Sequence, residues 1–335
     1  VIPDTVTSIG HDALRMCYSL TNVDLPESLT RISDYMFYGC GSLSNLTIPD
    51  GVTEIGDYAF TYCYSLADID LPDTLKTIGS HAFEECASLT SMRIPDSVTS
   101  IASGLFFSCT NLEEVTLPSG LTSISRQMFY NCIYLTNVDI PDGVTEIGDS
   151  AFDACGALES IELPDGLTTI QYRAFSNCSL LAEINIPESV TSIGAAAFER
   201  CTSLVSANIP QGVTVIEDGI FSGCTSLVHT NIPDGVTKIG GSAFESCTSL
   251  ENIELPDGIT SIGRRAFEGC VNIVESENGI EYVNNWAVGC NDSSITEVNF
   301  RDDTIGIADD IFSFAHDIES VNIPDSVIYI GDRLF

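Results

Sequence analysis

Lysine is nearly missing from this chain: Lys76 and Lys238 are its two copies, and 12 basic residues face 48 acidic ones for a net charge of −36. A surface this acidic repels phosphate backbones and anionic headgroups, which excludes nucleic acid and direct insertion into an anionic membrane. A cationic partner, divalent cations or a salty medium fit it better. Tryptophan occurs once, at Trp286. The four histidines, His11, His81, His229 and His316, are scattered, and no G-x-S-x-G, P-loop or dinucleotide fingerprint is present. Catalysis needs unlike residues converging at one place, so an enzyme is not expected. No C-x-x-C pair or Cys/His cluster suggests a zinc site. No apolar run is long enough to span a bilayer, and the first residues do not read as a signal peptide.

What the chain has is a 23-residue beat. Proline recurs at this interval from Pro3 to Pro256, cysteine from Cys17 to Cys270, and phenylalanine from Phe37 to Phe267. A fixed period of this size means a stacked solenoid, one short unit copied along an axis. Counted from the proline, position 2 is acidic except at Ser119 and Gln211, position 4 is mostly Val or Leu, 7 Ile, 12 Phe, 15 Cys and 18 Leu. Positions 18 to 23 alternate as a strand with one buried face. The next proline stops that strand, because it has no N–H for the ladder. Pro-Asp-Gly, as at Pro141 to Gly143, is turn chemistry. V-T-x-I-G then gives a second extended piece. The spacing of Ala, Phe and Cys in x-x-A-F-x-x-C predicts a short helical or 3₁₀ turn facing inward.

Stacked in register, these positions become columns, with parallel strands about 4.8 Å apart. The whole of 1–335 reads as one solenoid of about 14 repeats, roughly 65–70 Å long. The chain opens and closes inside a repeat and shows no polar cap, so we expect either a segment of something longer or ends covered by neighbouring copies.

The pattern L-x-x-I-x-[IL]-P-x-x-[VL]-T-x-I-G-x-x-A-F-x-x-C resembles the BspA-like class of leucine-rich repeats, and the match recurs along nearly the whole chain. The resemblance implies a leucine-rich-repeat solenoid, mostly β. It also implies an extracellular or cell-surface protein with an adhesin-like role, binding a protein or glycan on another cell or matrix. It carries over no catalytic and no ligand-binding residue. The alternative is structural: a fibre or surface-layer component, in which repeats stack end to end through exposed strand edges.

The pattern breaks over 271–300, where Gly279 stands in place of a proline. Residues 281–288 read as a hairpin around Asn284-Asn285. It is either a tolerated loop or a recognition patch anchored by Tyr282 and Trp286. From Arg301 the phase returns, with arginine where proline is due and Ala315 where cysteine is due.

Four further sets of residues are candidates. Positions 20 and 22 form the concave face of a leucine-rich solenoid. Asp24, Asp68, Asp70, Arg93, Glu114, Asp139, Glu162, Glu183, His229 and Glu254 carry its charge, and aromatics are nearly absent. This suits either a solvated sheet or a weak multivalent site for basic proteins or glycans. The acidic column at position 2, including Asp50, Asp73, Asp96, Asp142 and Asp165, caps turns or forms a calcium-binding edge. Asn45, Asn177 and Asn291 head N-x-S/T sequons. The cysteine column is expected to hold buried free thiols, because parallel Cβ vectors disfavour disulfides.

Overall fold

From the repeat opening at Pro26 onward the V-T-x-I step forms a two-residue strand, and its copies pair in parallel one repeat apart. Ile32 lies against Ile55, Ile55 against Ile78, and Ile78 against Ile101. The side chain alternates between faces, so the isoleucine points into the core while its neighbour meets solvent. The computed structural model describes all residues from Val1 to Phe335 and divides them into two units, Val1–Leu181 and Ala182–Phe335.

In the first unit a second line of strands runs along positions 20 to 22. Ser91–Arg93, Glu114–Thr116 and Asn137–Val138 pair in parallel, each with its middle or inner residue buried. The second unit repeats both lines. Glu183–Ile184, Ser206–Ala207 and His229–Thr230 form one, and Val215–Ile216, Lys238–Ile239 and Ser261–Ile262 form the other.

The segment between the two strand lines is not helical. Position 10 takes a left-handed backbone in every regular repeat, from Tyr35 (φ 55°) to Arg265 (φ 58°), and position 14 does so as well, from Tyr62 (φ 62°) to Ser246 (φ 61°). A helix needs consecutive right-handed residues, so two left-handed ones four apart forbid it. The N–H groups alternate instead. Those of Met36, Tyr38 and Cys40 bond within the turn to Ser33, Tyr35 and Phe37, while those of Tyr35, Phe37 and Gly39 reach the carbonyls of Asp57, Ala59 and Thr61 in the next repeat. The phenylalanine and cysteine face inward as their spacing predicts, but the turn is a third ladder between repeats.

Phenylalanine rings stack along the core of each unit. Centroids are 5.3 Å apart for Phe37 and Phe60 and 5.2 Å for Phe129 and Phe152, and Phe198, Phe221, Phe244 and Phe267 continue the pattern in the second unit. Offset ring stacking adds to the area these side chains bury.

The irregular repeat is a three-stranded antiparallel meander of Glu275–Glu277, Ile280–Val283 and Trp286–Cys290. Its last strand rejoins the parallel line, with Trp286 against Gly306 and Ala287 against Ile307. Trp286 is 2% exposed and Tyr282 1%. They are therefore core residues and not the exposed anchors of a recognition patch. The Trp286 indole stacks on Tyr329 at 6.0 Å. Tyr282 explains a departure from the repeat: its hydroxyl accepts the Arg301 N–H at 3.2 Å, and the Arg301 guanidinium lies 4.2 Å over its ring. A proline at 301 has no N–H to give.

Candidate functional site

The strand face is assembled as the alternation predicts. Asp24, Asp68, Asp70, Arg93, Glu114, Asp139, Glu162, Glu183, His229 and Glu254 are all exposed. In the second unit Glu183 and His229 share a shallow open groove of about 450 Å³ with Asn185, Ser206, Asn208 and Asn231. Two of its amides are already engaged. Asn231 accepts from the Ile209 N–H at 2.8 Å and donates to the Ile209 carbonyl at 2.9 Å, and Asn208 donates to Glu188. In the first unit Arg93 lies 3.6 Å from Asp73, with both groups well exposed, so this pair contributes little. Nothing on this face converges as a catalytic site would.

The carboxylates of the acidic edge do not gather into a metal-binding cluster. Nowhere do three His, Cys, Asp or Glu side chains converge to hold a metal ion. Asp96 accepts from both the backbone N–H and the hydroxyl of Ser119, at 2.8 and 2.9 Å, and these bonds draw its carboxyl below the ordinary range. Asp73 faces Arg93. Asp50, Asp142 and Asp165 stand on exposed turns and meet in no such cluster. A second carboxylate column went unseen in the sequence. Asp34, Asp57, Asp218 and Asp309 at position 9 each accept the N–H of the equivalent residue one repeat on, at 3.2, 2.7, 2.7 and 2.8 Å. The bond needs the two turns side by side, which only the stack provides.

Among the sequon asparagines, Asn177 is occupied. Its amide donates to Asp153 and Ser176, and the Cys178 that follows is buried. Asn45 and Asn291 are exposed, with amides bonded to Ser44 and Ser276.

The cysteines are all free. Buried thiols donate to the position-12 carbonyl one repeat back, which belongs to Leu14 for Cys40 at 3.1 Å and to phenylalanine further on: Cys63 to Phe37 at 3.2 Å, Cys109 to Phe83 at 2.9 Å, and Cys247 to Phe221 at 3.2 Å. Burial pushes the Cys40 thiol up to about 11 and those of Cys109 and Cys270 to about 12. These groups join repeats and are not nucleophiles.

Two surfaces lie outside the predicted sites. A cleft of about 260 Å³ opens in the second unit where the meander replaces a turn segment, lined by Arg264, Glu268, Glu281, Cys290, Asp310 and Phe314 among others. Both its arginines are paired, Arg264 3.0 Å from Asp310 and Arg265 3.0 Å from Glu268, while burial pushes the Glu281 carboxyl up. The other surface is aromatic. On the turn side of the first unit, Tyr35 stacks on Tyr58 at 5.0 Å, Tyr58 on His81 at 5.1 Å, and Phe107 on Tyr130 at 4.5 Å. Tyr38, Tyr62 and Tyr64 join along its flank. The signal for it was in the sequence: tyrosine gathers at variable positions of the early repeats.

Parallel strands in two lines, an asparagine- and leucine-bearing strand face and a 23-residue pitch define a leucine-rich-repeat solenoid. Its turns match the model of the BspA type leucine rich repeat region (6 copies) over residues 1–113, 99–228 and 214–335, and the chain belongs to that family. No curated protein sequence matches it. Among solved structures it is similar to a leucine-rich repeat protein from Bacteroides ovatus, with 29% identity over 97% of this chain and 78% of that one and a TM-score of 0.70. It also matches a leucine rich cell surface protein from Faecalibacterium prausnitzii, with 31% identity over 75% and 86% of the two chains and a TM-score of 0.47. A leucine rich repeat protein of T. pallidum matches at 35% identity over 45% and 70%, with a TM-score of 0.43.

Proposed function

We propose that this chain is a non-enzymatic binding module displayed outside the cell, which engages a protein on another cell or in the matrix. The observation that carries this reading is the strand face. Its charged side chains are exposed repeat after repeat and bound to little else. Such a surface supports many weak polar contacts and no chemistry. Membership of a repeat family built as an interaction scaffold agrees with it. A protein partner suits the face better than a glycan, because Asn208 and Asn231 already spend their amides within the chain. With 48 acidic side chains, the partner surface is basic, and long-range attraction speeds the encounter.

The test is saturable binding of the purified chain to a panel of matrix proteins and to intact cells at low and high salt. Binding to basic proteins that weakens several-fold with salt is the expected result. Glu114→Gln with Asp139→Asn slows association about two- to five-fold. No saturable binding to any cell or protein, together with polymers that grow with concentration in sedimentation, moves the function to the assembly of a fibre or surface layer.

A further inference from the structure

The aromatic side chains on the turn side of the first unit are not required by the repeat. Tyr58 holds position 10 with a left-handed backbone, and Ser150, Ala196 and Ser242 hold the same position with the same backbone. Ser108 and Ser246 do at position 14 what Tyr62 does, again left-handed. Ala87 stands at position 16, where Tyr64 stands one repeat earlier. In the second unit the repeats opening at Pro187, Pro210, Pro233 and Pro256 carry no aromatic residue at positions 10, 13, 14 and 16. The repeat backbone therefore does not require the tyrosines, and tyrosine on a surface carries a large apolar area with little conformational entropy to lose.

The same surface shows what it holds. The Arg15 guanidinium lies 4.8 Å over the Tyr38 ring and 5.6 Å from that of Tyr35, and it bonds Asp12 at 2.9 Å. Ring below and carboxylate beside is the arrangement that recognises a guanidinium. Further along, Tyr62 and Tyr64 lie at 5.9 Å, and Tyr64 is 48% exposed. Glu84 and Glu85 stand close enough to push the Tyr62 hydroxyl up, after burial, and Glu85 does the same to Tyr64. Rings and carboxylates thus continue past Arg15, and no arginine or lysine of the chain covers Tyr62 or Tyr64.

We propose that the tyrosine surface from Tyr35 to Tyr64 binds an extended, arginine-bearing segment of a partner protein. This deepens the binding-module reading and rests on it. Arginine is favoured over lysine, because its planar, weakly hydrated cation stacks on a ring while its N–H groups reach a carboxylate.

The test is the variant Tyr58→Ser, Tyr62→Ser, Tyr64→Ala in the full chain. Each change installs a residue that other repeats carry at that position, and the net charge stays at −36. Circular dichroism checks that the repeats remain folded. The probe is a short fluorescent arginine-rich peptide, compared by anisotropy at physiological salt with a lysine peptide of equal length and charge. The unmodified chain is expected to prefer the arginine peptide, and the variant to bind it at least ~10-fold more weakly, since each ring contact supplies a few-fold or more. Equal binding by the variant, or no preference between the peptides, reduces the attraction to charge alone and overturns the proposal. So does ring-dependent binding of a neutral oligosaccharide with no binding of the arginine peptide. The matrix and cell panel separates the two readings. If the unmodified chain binds there and the variant binds equally well, this inference fails and the binding module stands. If the unmodified chain binds nothing there, the module itself fails.

Discussion

Cysteine at position 15 shows how one residue type can serve a repeat. Its volume fits between stacked turns, and its S–H adds a bond to a phenylalanine carbonyl that already accepts the N–H of its own repeat's cysteine, as at Phe106 with Cys109 and Cys132. Serine would place a stronger dipole in an apolar column, and alanine would leave a void. Cys132→Ala is expected to cost about 1–2 kcal/mol, the sum of lost packing and a weak bond. Accessibility gives a sharper prediction. Cys17 is exposed and Cys290 half-buried, while the other cysteines are buried. In the native state a thiol reagent should therefore modify these two and spare the rest until the chain is unfolded, which a mass-spectrometric count checks. The buried thiols also set a pH dependence. Their folded values lie above the ordinary 9.0, so the folded state holds protons that the unfolded state releases. The thiol contribution should be constant below about pH 8, so stability should fall as pH rises from neutrality past the ordinary thiol value of about 8.5–9, and it should recover on return to neutrality under reducing conditions.

At the scale of the element, the turn and the meander separate what a pattern shows from what it hides. The inward Phe and Cys were legible because burial follows from type and spacing. The backbone between them was not. An A-F-x-x-C spacing fits one turn of helix as well as it fits a segment with left-handed residues at positions 10 and 14, and the choice is made by hydrogen bonds to the next repeat. The meander shows the same limit. Two β-rich arms around Asn284-Asn285 announce a hairpin, and Asn284 in the structure has a φ of 49°. The sequence could not show that the far arm rejoins the parallel line and turns Trp286 inward. Gly306 makes this fit testable. A Cβ placed there would stand 2.5 Å from the indole ring, and the backbone is not left-handed, so any cost comes from the ring. Gly306→Ala is expected to destabilise by about 1–3 kcal/mol through overpacking. Trp286 is the sole tryptophan and is buried, so its emission should be blue-shifted and resistant to iodide in the native chain. In the Gly306→Ala variant it should shift red or quench more readily. Unchanged emission and an unchanged urea midpoint would contradict the packing described.

Across the whole molecule the dominant quantity is charge. Carboxylates recur at one-repeat spacing along exposed turns, and unit charges about 4.8 Å apart repel by roughly 0.9 kcal/mol per pair in water. Hydrogen bonds such as Asp96 to Ser119 and Asp57 to Ser80 offset part of this. The melting temperature should accordingly rise by a few degrees between low salt and about 0.5 M, where the screening length falls to roughly 4 Å. Because no three carboxylates converge, calcium should match magnesium at equal ionic strength. A calcium-specific rise in scanning calorimetry would contradict the geometry. The sequence by itself determined the period, the parallel stack, the buried columns and the outward strand face, because each depends only on which residues are apolar and how often they recur. Tertiary structure decided the rest. It made the turn a ladder and not a helix, spaced the acidic edge so that no three carboxylates converge, and made Trp286 a core residue and not an anchor. It also gathered the tyrosines of successive repeats into one surface. Each of these depends on a neighbour one repeat or more away, whose contact comes into being only when the chain stacks on itself.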